Sequence, residues 1–296
     1  MQVVKSANLT AETSTAGQQK MTRFQPITKE FIDVCIDEIH MRIASVCRKG
    51  KGAPLLALHG FGSTKEDYGD LMHHSVFQDM TIISYDAPGF GESECSNHSA
   101  LSISFLRQVA ERIIDFYNMS SYHLVGHSMG GLTALMLANE APQQLLSFSN
   151  IEGNLSAEDC FLSRQIITNP DPNPHEFLRA FAERVWCQPG FANQLYSSGL
   201  RCKVHPEAVE PIFRSMVELS DSAELLELFL QLSCPTMFVY GEESKSLSYL
   251  TRLADSNVQL SEIPHSAHFP MYSNPPALWA RLGDFIFNEG DIGNDQ

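Results

Sequence analysis

Ser128 is the residue whose setting points most directly to chemistry. It stands at the centre of the sequence GHSMG at residues 126–130, between an apolar run at residues 122–125 and a helix-forming run at residues 132–139. A strand, a sharp turn flanked by glycines and a helix form the context in which the G-x-S-x-G pattern exposes a serine hydroxyl. The pattern therefore predicts that Ser128 is a catalytic nucleophile.

Two further segments accompany this motif. The sequence HGFG at residues 59–62 ends one apolar run, and DAPGFGES at residues 86–93 ends another. In this order the three motifs resemble those of the α/β-hydrolase family, specifically its capped esterase-like and epoxide-hydrolase-like branches, over roughly residues 31–288. Epoxide hydrolases and haloalkane dehalogenases carry Asp at the position of Ser128, so the resemblance disfavours their chemistry through an alkyl-enzyme ester.

The resemblance also indicates which of the eleven histidines takes the proton of the serine. His268 lies in the sequence AHFP, after a predicted strand at residues 258–263 and before a predicted helix at residues 275–287. This is the place of the family's catalytic histidine, although Ala267 stands where the family usually has Gly. His268 is the implied general base, and His265 in the same loop is the alternative.

A carboxylate must orient this base and stabilise the imidazolium that forms during attack. The commonest family pattern places Asp three residues after the glycine that ends the seventh strand, and that position is Ser244 here. Some branches carry the acid after the sixth strand, where this chain has Glu152. We predict Glu152 as the triad acid, and Glu242 and Glu243 remain alternatives because of their long side chains.

Acyl transfer also needs two donors directed at the oxyanion of the tetrahedral intermediate. In this fold they are backbone N–H groups, one from the residue after the nucleophile and one from the loop after the third strand. Met129 and Phe61 match these positions. His59 and His127 are interpreted as packing residues, and Asp86 as a stabiliser of the Pro-Gly turn that follows it.

The elements that must position these residues alternate along the chain. An antiparallel hairpin is predicted at residues 31–36 and 41–46, followed by buried strands at residues 55–59, 81–86, 122–125, 145–150, 236–240 and 258–263. Helical patterns lie between the buried strands, for example at residues 65–74 and 102–118. This alternation predicts an α/β fold with a mostly parallel, doubly wound sheet, which as an α/β-hydrolase fold would have eight strands.

Residues 155–234 break this alternation. They contain helical patterns at residues 175–186, 206–220 and 223–232 without a convincing strand, which predicts a helical insertion after the sixth strand. In the family such an insertion is a cap over the active site, and the alternative is an ordinary helical layer. The predicted domains are a tail at residues 1–25, expected to be disordered, a hydrolase core at residues 26–154 and 235–296, and the cap at residues 155–234.

The predicted cap is rich in large apolar side chains. They suggest an apolar lining and a hydrophobic acyl or ring portion in the substrate. The residues assigned to this lining are Phe161, Leu162, Phe177, Phe181, Val185 and Trp186.

Composition limits the partners. The 296 residues are 43% hydrophobic and carry a net charge of −15, which suits a globular protein and disfavours nucleic acid, because phosphate binding requires a basic face. Seven scattered cysteines predict neither a zinc site nor a disulfide framework and favour a reducing, cytoplasmic compartment. We expect no cofactor, metal, secretory signal or membrane span from the motifs present.

These features favour a serine hydrolase that cleaves a carboxylic ester of a small molecule, or a lactone or thioester, through an acyl-enzyme. One alternative is hydrolysis of a carbon–carbon bond, which family members perform with the same triad. The other is a receptor-like hydrolase homologue that binds a ligand without turnover. The sequence does not predict the oligomeric state.

Overall fold

The computed structural model describes residues 25–168 and 173–288. Of the predicted tail, residues 1–24 lie outside the described residues, as do residues 289–296 of the predicted core. The strands are β1 Ile27–Ile36, β2 Ile39–Arg48, β3 Gly52–Leu58, β4 Met80–Tyr85, β5 Glu94–Cys95, β6 Tyr122–His127, β7 Leu145–Ile151, β8 Thr236–Gly241 and β9 Gln259–Ile263.

Eight of these strands form one sheet in the order β1-β2-β4-β3-β6-β7-β8-β9, and the short β5 pairs with β2. β1, β2 and β4 are joined by antiparallel pairing, whereas the strands from β4 through β3 to β9 are parallel. The predicted mostly parallel sheet is therefore confirmed. The two-residue β5 was not predicted, because so short a segment shows no alternation.

The pattern of apolar residues in each strand matches the position of that strand in the sheet. In β1, Ile32, Val34 and Ile36 are buried while the residues between them are exposed, as expected for a strand with one wet face. In β3, all residues from Leu55 to Leu58 are buried. Their side chains alternate between two apolar clusters on opposite faces of the sheet, so helices cover this strand on both sides.

Helices connect the strands. The α-helices are α1 Gly69–His73, α2 Ile103–Phe116, α3 Met129–Glu140, α4 Ser163–Ile167, α5 Pro174–Trp186, α6 Phe191–Lys203, α7 Pro206–Ser222, α8 Leu225–Leu230, α9 Leu250–Ala254, α10 Pro270–Ser273 and α11 Pro275–Asn288. Ser102 precedes α2 and caps it, because its hydroxyl accepts the N–H of Phe105 at 3.1 Å.

The segment between β7 and β8 contains α4 to α8 and, in its described part, no strand. It is attached to the turn that follows β4. The N–H of His205 donates to the carbonyl of Gly89 at 2.9 Å, and the N–H of Gly91 donates to the carbonyl of Lys203 at 2.8 Å. α6 was not predicted from the sequence, and it packs through Tyr196 and Leu200, which are buried.

Candidate active site

Ser128 lies on a sharp turn between β6 and α3. Its backbone has φ 51° and ψ −119°, a conformation that costs free energy for a residue with a Cβ atom. A Cβ on Gly126 would lie 2.5 Å from the carbonyl oxygen of Gly130, and one on Gly130 would lie 2.4 Å from that of Leu58. The two glycines thus permit the close packing of strand, turn and helix that holds Ser128 in this conformation.

His268 lies in the loop between β9 and α10. Its Nε2 is 3.0 Å from the Oγ of Ser128, and its Nδ1 is 2.7 Å from the Oε2 of Glu152. The Nε2 of His127 donates to the backbone carbonyl of His268 at 2.8 Å. Burial lowers the pKa of His127 to about 3, so that ring is neutral and supports the loop as a hydrogen-bond donor.

Glu152 follows β7 and has a positive φ of 45°. Its side chain is buried, and its Oε1 accepts the N–H of Gly241 at 2.7 Å. Burial raises the pKa of Glu152, but the hydrogen bond and charge of His268 and the N–H of Gly241 outweigh it and leave the pKa below its ordinary value. Ser244 adds a further hydrogen bond with the same effect. Glu152 is therefore an ionised carboxylate beside the imidazole of His268.

The alternative residues Glu242, Glu243 and His265 make other contacts. The Oε2 of Glu242 accepts the N–H of His265 at 2.8 Å, and Glu242 also pairs with Lys245. The side chain of His265 is 91% exposed. Glu243 lines the cavity described below and is joined to the His268 loop by its backbone N–H, which donates to the carbonyl of Ser266. Ser128, His268 and Glu152 are thus the residues that the structure brings together.

Met129 and Phe61 lie beside Ser128. Met129 is the first residue of α3, where backbone N–H groups have no carbonyl partner within the helix. Phe61 lies in the loop after β3, and its side chain lines the cavity that contains Ser128. Its carbonyl accepts the hydroxyl of Tyr196 at 2.9 Å. Tyr196 of α6 therefore fixes the loop that carries Phe61, a role that the sequence analysis missed.

Asp86 ties this loop to the turn after β4. Its carboxylate accepts the backbone N–H of Lys65 at 2.8 Å, the ammonium of Lys65 at 2.7 Å and the N–H of Glu92 at 2.9 Å. Nearby, His59 accepts the N–H of Ala87 at its Nε2 and donates from its Nδ1 to the carbonyl of Gly60. Both residues have structural contacts of the kind that the sequence analysis assigned to them.

A cavity of about 210 Å³ opens beside Ser128 and His268. Part of its wall comes from loops of the sheet, including Phe61 and Phe269. The rest comes from the helical segment between β7 and β8. Its large aliphatic and phenyl side chains in the wall are Phe161, Leu162, Phe181, Val185, Phe213 and Met216.

The predicted lining residues of α5 occupy different places. Phe181 lines the cavity. Phe177, predicted as a lining residue, does not, because it lies behind the ring of Phe181, with ring centroids 6.2 Å apart and nearly parallel planes. Trp186, in contrast, is 54% exposed and lies in a separate surface depression with Glu183 and Arg201, so its prediction as a lining residue disagrees with the structure. Five residues along an α-helix rotate the side chain by about 140°, which turns Trp186 away from the face of Phe181.

Residues 25–168 and 173–288 offer neither a metal centre nor a membrane-spanning helix. No group of three or more His, Cys, Asp or Glu residues there is arranged to hold a metal ion. Within the same residues, no helix combines the length and the apolar character needed to cross a membrane.

Known proteins share this architecture. The model of the alpha/beta hydrolase family matches residues 55–282. The chain is 22% identical over 228 residues to an esterase/lipase-type protein of Mycoplasma genitalium, an alignment that covers 73% of this chain and 85% of that protein. It is 25% identical over 252 residues to a pimeloyl-[acyl-carrier protein] methyl ester esterase of Aeromonas salmonicida, covering 78% and 94%.

A solved structure gives the same result for the fold. It comes from work on carboxylesterases of the thaumarchaeon Nitrososphaera gargenis and superposes with a TM-score of 0.71 at 14% identity, covering 88% of this chain and 100% of that chain. At this identity the superposition establishes the fold alone. Because the family match spans most of the sequence, this chain belongs to the alpha/beta hydrolase family.

Proposed function

We propose that this protein is a serine hydrolase that cleaves a carboxylic ester through an acyl-enzyme. The observation that carries the proposal is the chain of two hydrogen bonds from Ser128 through His268 to Glu152, with distances of 3.0 and 2.7 Å, at the wall of a largely apolar cavity. Relatives named as esterases support ester hydrolysis at this general level.

In the proposed mechanism the Oγ of Ser128 attacks the ester carbonyl while the Nε2 of His268 takes its proton. Glu152, ionised and fixed by Gly241, holds the ring with its proton on Nδ1 and stabilises the imidazolium. The N–H groups of Phe61 and Met129 donate to the oxyanion. The imidazolium then protonates the departing alkoxide, and the C–O bond breaks to leave an ester of Ser128.

Water completes the cycle. His268 removes a proton from water as it attacks the carbonyl of the acyl-enzyme, and the second tetrahedral intermediate uses the same two donors. Collapse of this intermediate returns the proton to Ser128 and releases the carboxylic acid. Each group therefore acts twice, and the protein is restored without a cofactor.

We also propose that residues 155–234 act as a cap that selects the substrate. The turn before α4 and helices α5 and α7 supply most of the apolar wall described above, so the substrate would be enclosed between them and the sheet. The cavity of about 210 Å³ is smaller than the ~300–1,000 Å³ typical of pockets for drug-sized ligands. A short acyl chain or a small ring fits these dimensions.

The experiment combines a serine-directed fluorophosphonate with a panel of neutral methyl esters of increasing acyl length. The expected result is labelling at Ser128, identified by mass spectrometry of the peptide, and turnover of at least one ester that the phosphonate abolishes. Ester binding without turnover would favour the receptor-like alternative. Turnover that persists after complete labelling of Ser128 would overturn the proposal.

A further inference from the structure

The fixed charges on the described residues that line the cavity are all negative. Among the described residues that line it, the carboxylates are Asp159 and Glu243, and neither Lys nor Arg contributes to the wall. The other ionisable side chains of the described lining are those of His268, the proposed general base, and Tyr196. A substrate in this cavity would therefore lie close to negative charge without a compensating fixed cation.

Asp159 is held firmly in this position. One carboxylate oxygen accepts the N–H groups of Leu155 and Ser156 at 2.8 and 3.0 Å, and the other accepts the hydroxyl of Tyr249 at 3.0 Å. All three partners are uncharged, so they orient the carboxylate without neutralising it. Burial raises the pKa of Asp159 to about 6, which leaves the side chain ionised at pH 8.

Cations on residues that neighbour the lining are engaged outside the cavity. Arg184 lies 5.9 Å from the ring centroid of Phe181, is exposed, and donates to the side chain of Gln165. Lys245, near Glu243 in the chain, pairs instead with Glu242 and Glu262. Solvent screens such exposed charges more than it screens a charge inside the cavity.

The apolar wall adds to the effect of the carboxylates. Aromatic rings from both halves of the structure line the cavity, and the face of an aromatic ring attracts an ammonium group. They are Phe61, Phe161, Phe181, Tyr196, Phe213 and Phe269. Carboxylates combined with aromatic rings suit a quaternary ammonium group, whereas a substrate carboxylate would lose its hydration and meet like charge.

We infer that this cavity selects esters by charge, accepting acyl groups that are neutral or carry an ammonium group and rejecting acyl groups that end in a carboxylate. The inference rests on the proposed function and deepens it, because it names the class of substrate. It also excludes acyl groups linked to strongly anionic carriers from the preferred substrates.

The test uses three methyl esters whose fifth chain position differs in charge. They are methyl 4-(trimethylammonio)butanoate, its neutral isostere methyl 5,5-dimethylhexanoate, and monomethyl glutarate. kcat/KM for each is measured by proton release at pH 8 and low ionic strength. The quantity that decides is the ratio of kcat/KM for the cationic ester to that for the anionic ester.

Variants of Asp159 and Glu243 show how much of the kcat/KM ratio comes from the charges of these carboxylates and how much from the loss of hydration of the substrate. A unit charge about 7 Å from a carboxylate, at an effective dielectric constant of about 20, changes an equilibrium constant by more than about tenfold. D159N should therefore lower the ratio about tenfold or more, and E243Q should lower it in the same direction by less, because Glu243 is exposed. E242Q is the matched control, since it removes the same charge one residue away but outside the cavity.

Three results would overturn the inference: a ratio unchanged within about twofold in both D159N and E243Q, a ratio that favours the anionic ester in the wild type, or an equal fall in E242Q. Calorimetric binding of the three corresponding methyl ketones, which cannot be hydrolysed, measures the same ratio without turnover. If no ester reacts but the ketones show the charge order and its loss in D159N, the proposed function fails and the charge selection stands.

Discussion

Replacing Glu152 by Gln exchanges one carboxylate oxygen for an NH₂ group at nearly constant size. The N–H of Gly241 donates to the Oε1 of Glu152 at 2.7 Å, so the amide oxygen of the variant must remain at that position. The opposite orientation would set two donors against each other in a buried site, at a cost of about 1–3 kcal/mol. The NH₂ group therefore faces the Nδ1 of His268.

This orientation forces the wrong tautomer on His268. Its Nδ1 must accept a hydrogen bond from the amide, so the ring proton moves to Nε2, the atom that lies 3.0 Å from the Oγ of Ser128. A protonated Nε2 cannot take the proton of the serine, and the charge that stabilises the imidazolium is also lost. We expect kcat to fall by about 10⁴, as for an equivalent change in other triads, which corresponds to about 5 kcal/mol of transition-state stabilisation.

The assay is the proton-release rate on a neutral methyl ester, with KM determined separately. KM should change by less than about threefold, since Glu152 does not line the cavity. E242Q is the matched control and should retain activity, because its carboxylate contacts His265 and Lys245 instead. A larger loss in E243Q than in E152Q, or activity of E152Q within tenfold of the wild type, would refute the assignment.

Three further outcomes are expected. Tyr196→Phe leaves the buried carbonyl of Phe61 without its donor, so kcat should fall about tenfold with little change in KM, and a rise in KM alone would contradict this positioning role. Phe181→Ala should change the order of kcat/KM among esters of different acyl length, whereas Trp186→Ala should not. The reverse result would contradict the assignment of the cavity as the acyl site. Burial raises the pKa of Asp159 to about 6 from 3.8, so the stability it contributes is complete below about pH 4 and is lost as the pH rises through 6. The melting temperature of D159N relative to the wild type should therefore rise between pH 4 and 7, and a flat difference would contradict the shift.

The central strands could be predicted because their signals are local, and the candidate triad because its motifs resemble those of the family. Residues 55–58 form a continuous apolar run, as expected for a strand covered on both faces. Glu152 was singled out because Ser244 leaves the usual acid position without charge. The structure adds a contact that no spacing could reveal, since Ser244 lies within reach of Glu152 and contributes to its lowered pKa.

Other features depend on packing that the sequence does not display. α6 has the sequence FANQLYSSGLRCK, whose serines and central glycine are weak helix formers, so its periodicity was missed. Its stability comes from tertiary burial of Tyr196 and Leu200. Likewise, the pattern of α5 predicts a helix correctly but does not say which face meets the cavity, and Trp186 was placed on the wrong face for that reason.

Turnover by the Ser128→Ala variant tests the central claim most directly. The change removes the attacking oxygen and leaves every other side chain of the cavity in place. We therefore expect kcat on a neutral methyl ester to fall by about 10⁶. The thermal unfolding of the variant should stay close to that of the wild type, because the half-buried hydroxyl contacts mainly His268. A folded Ser128→Ala protein that retains most of its turnover would contradict the account.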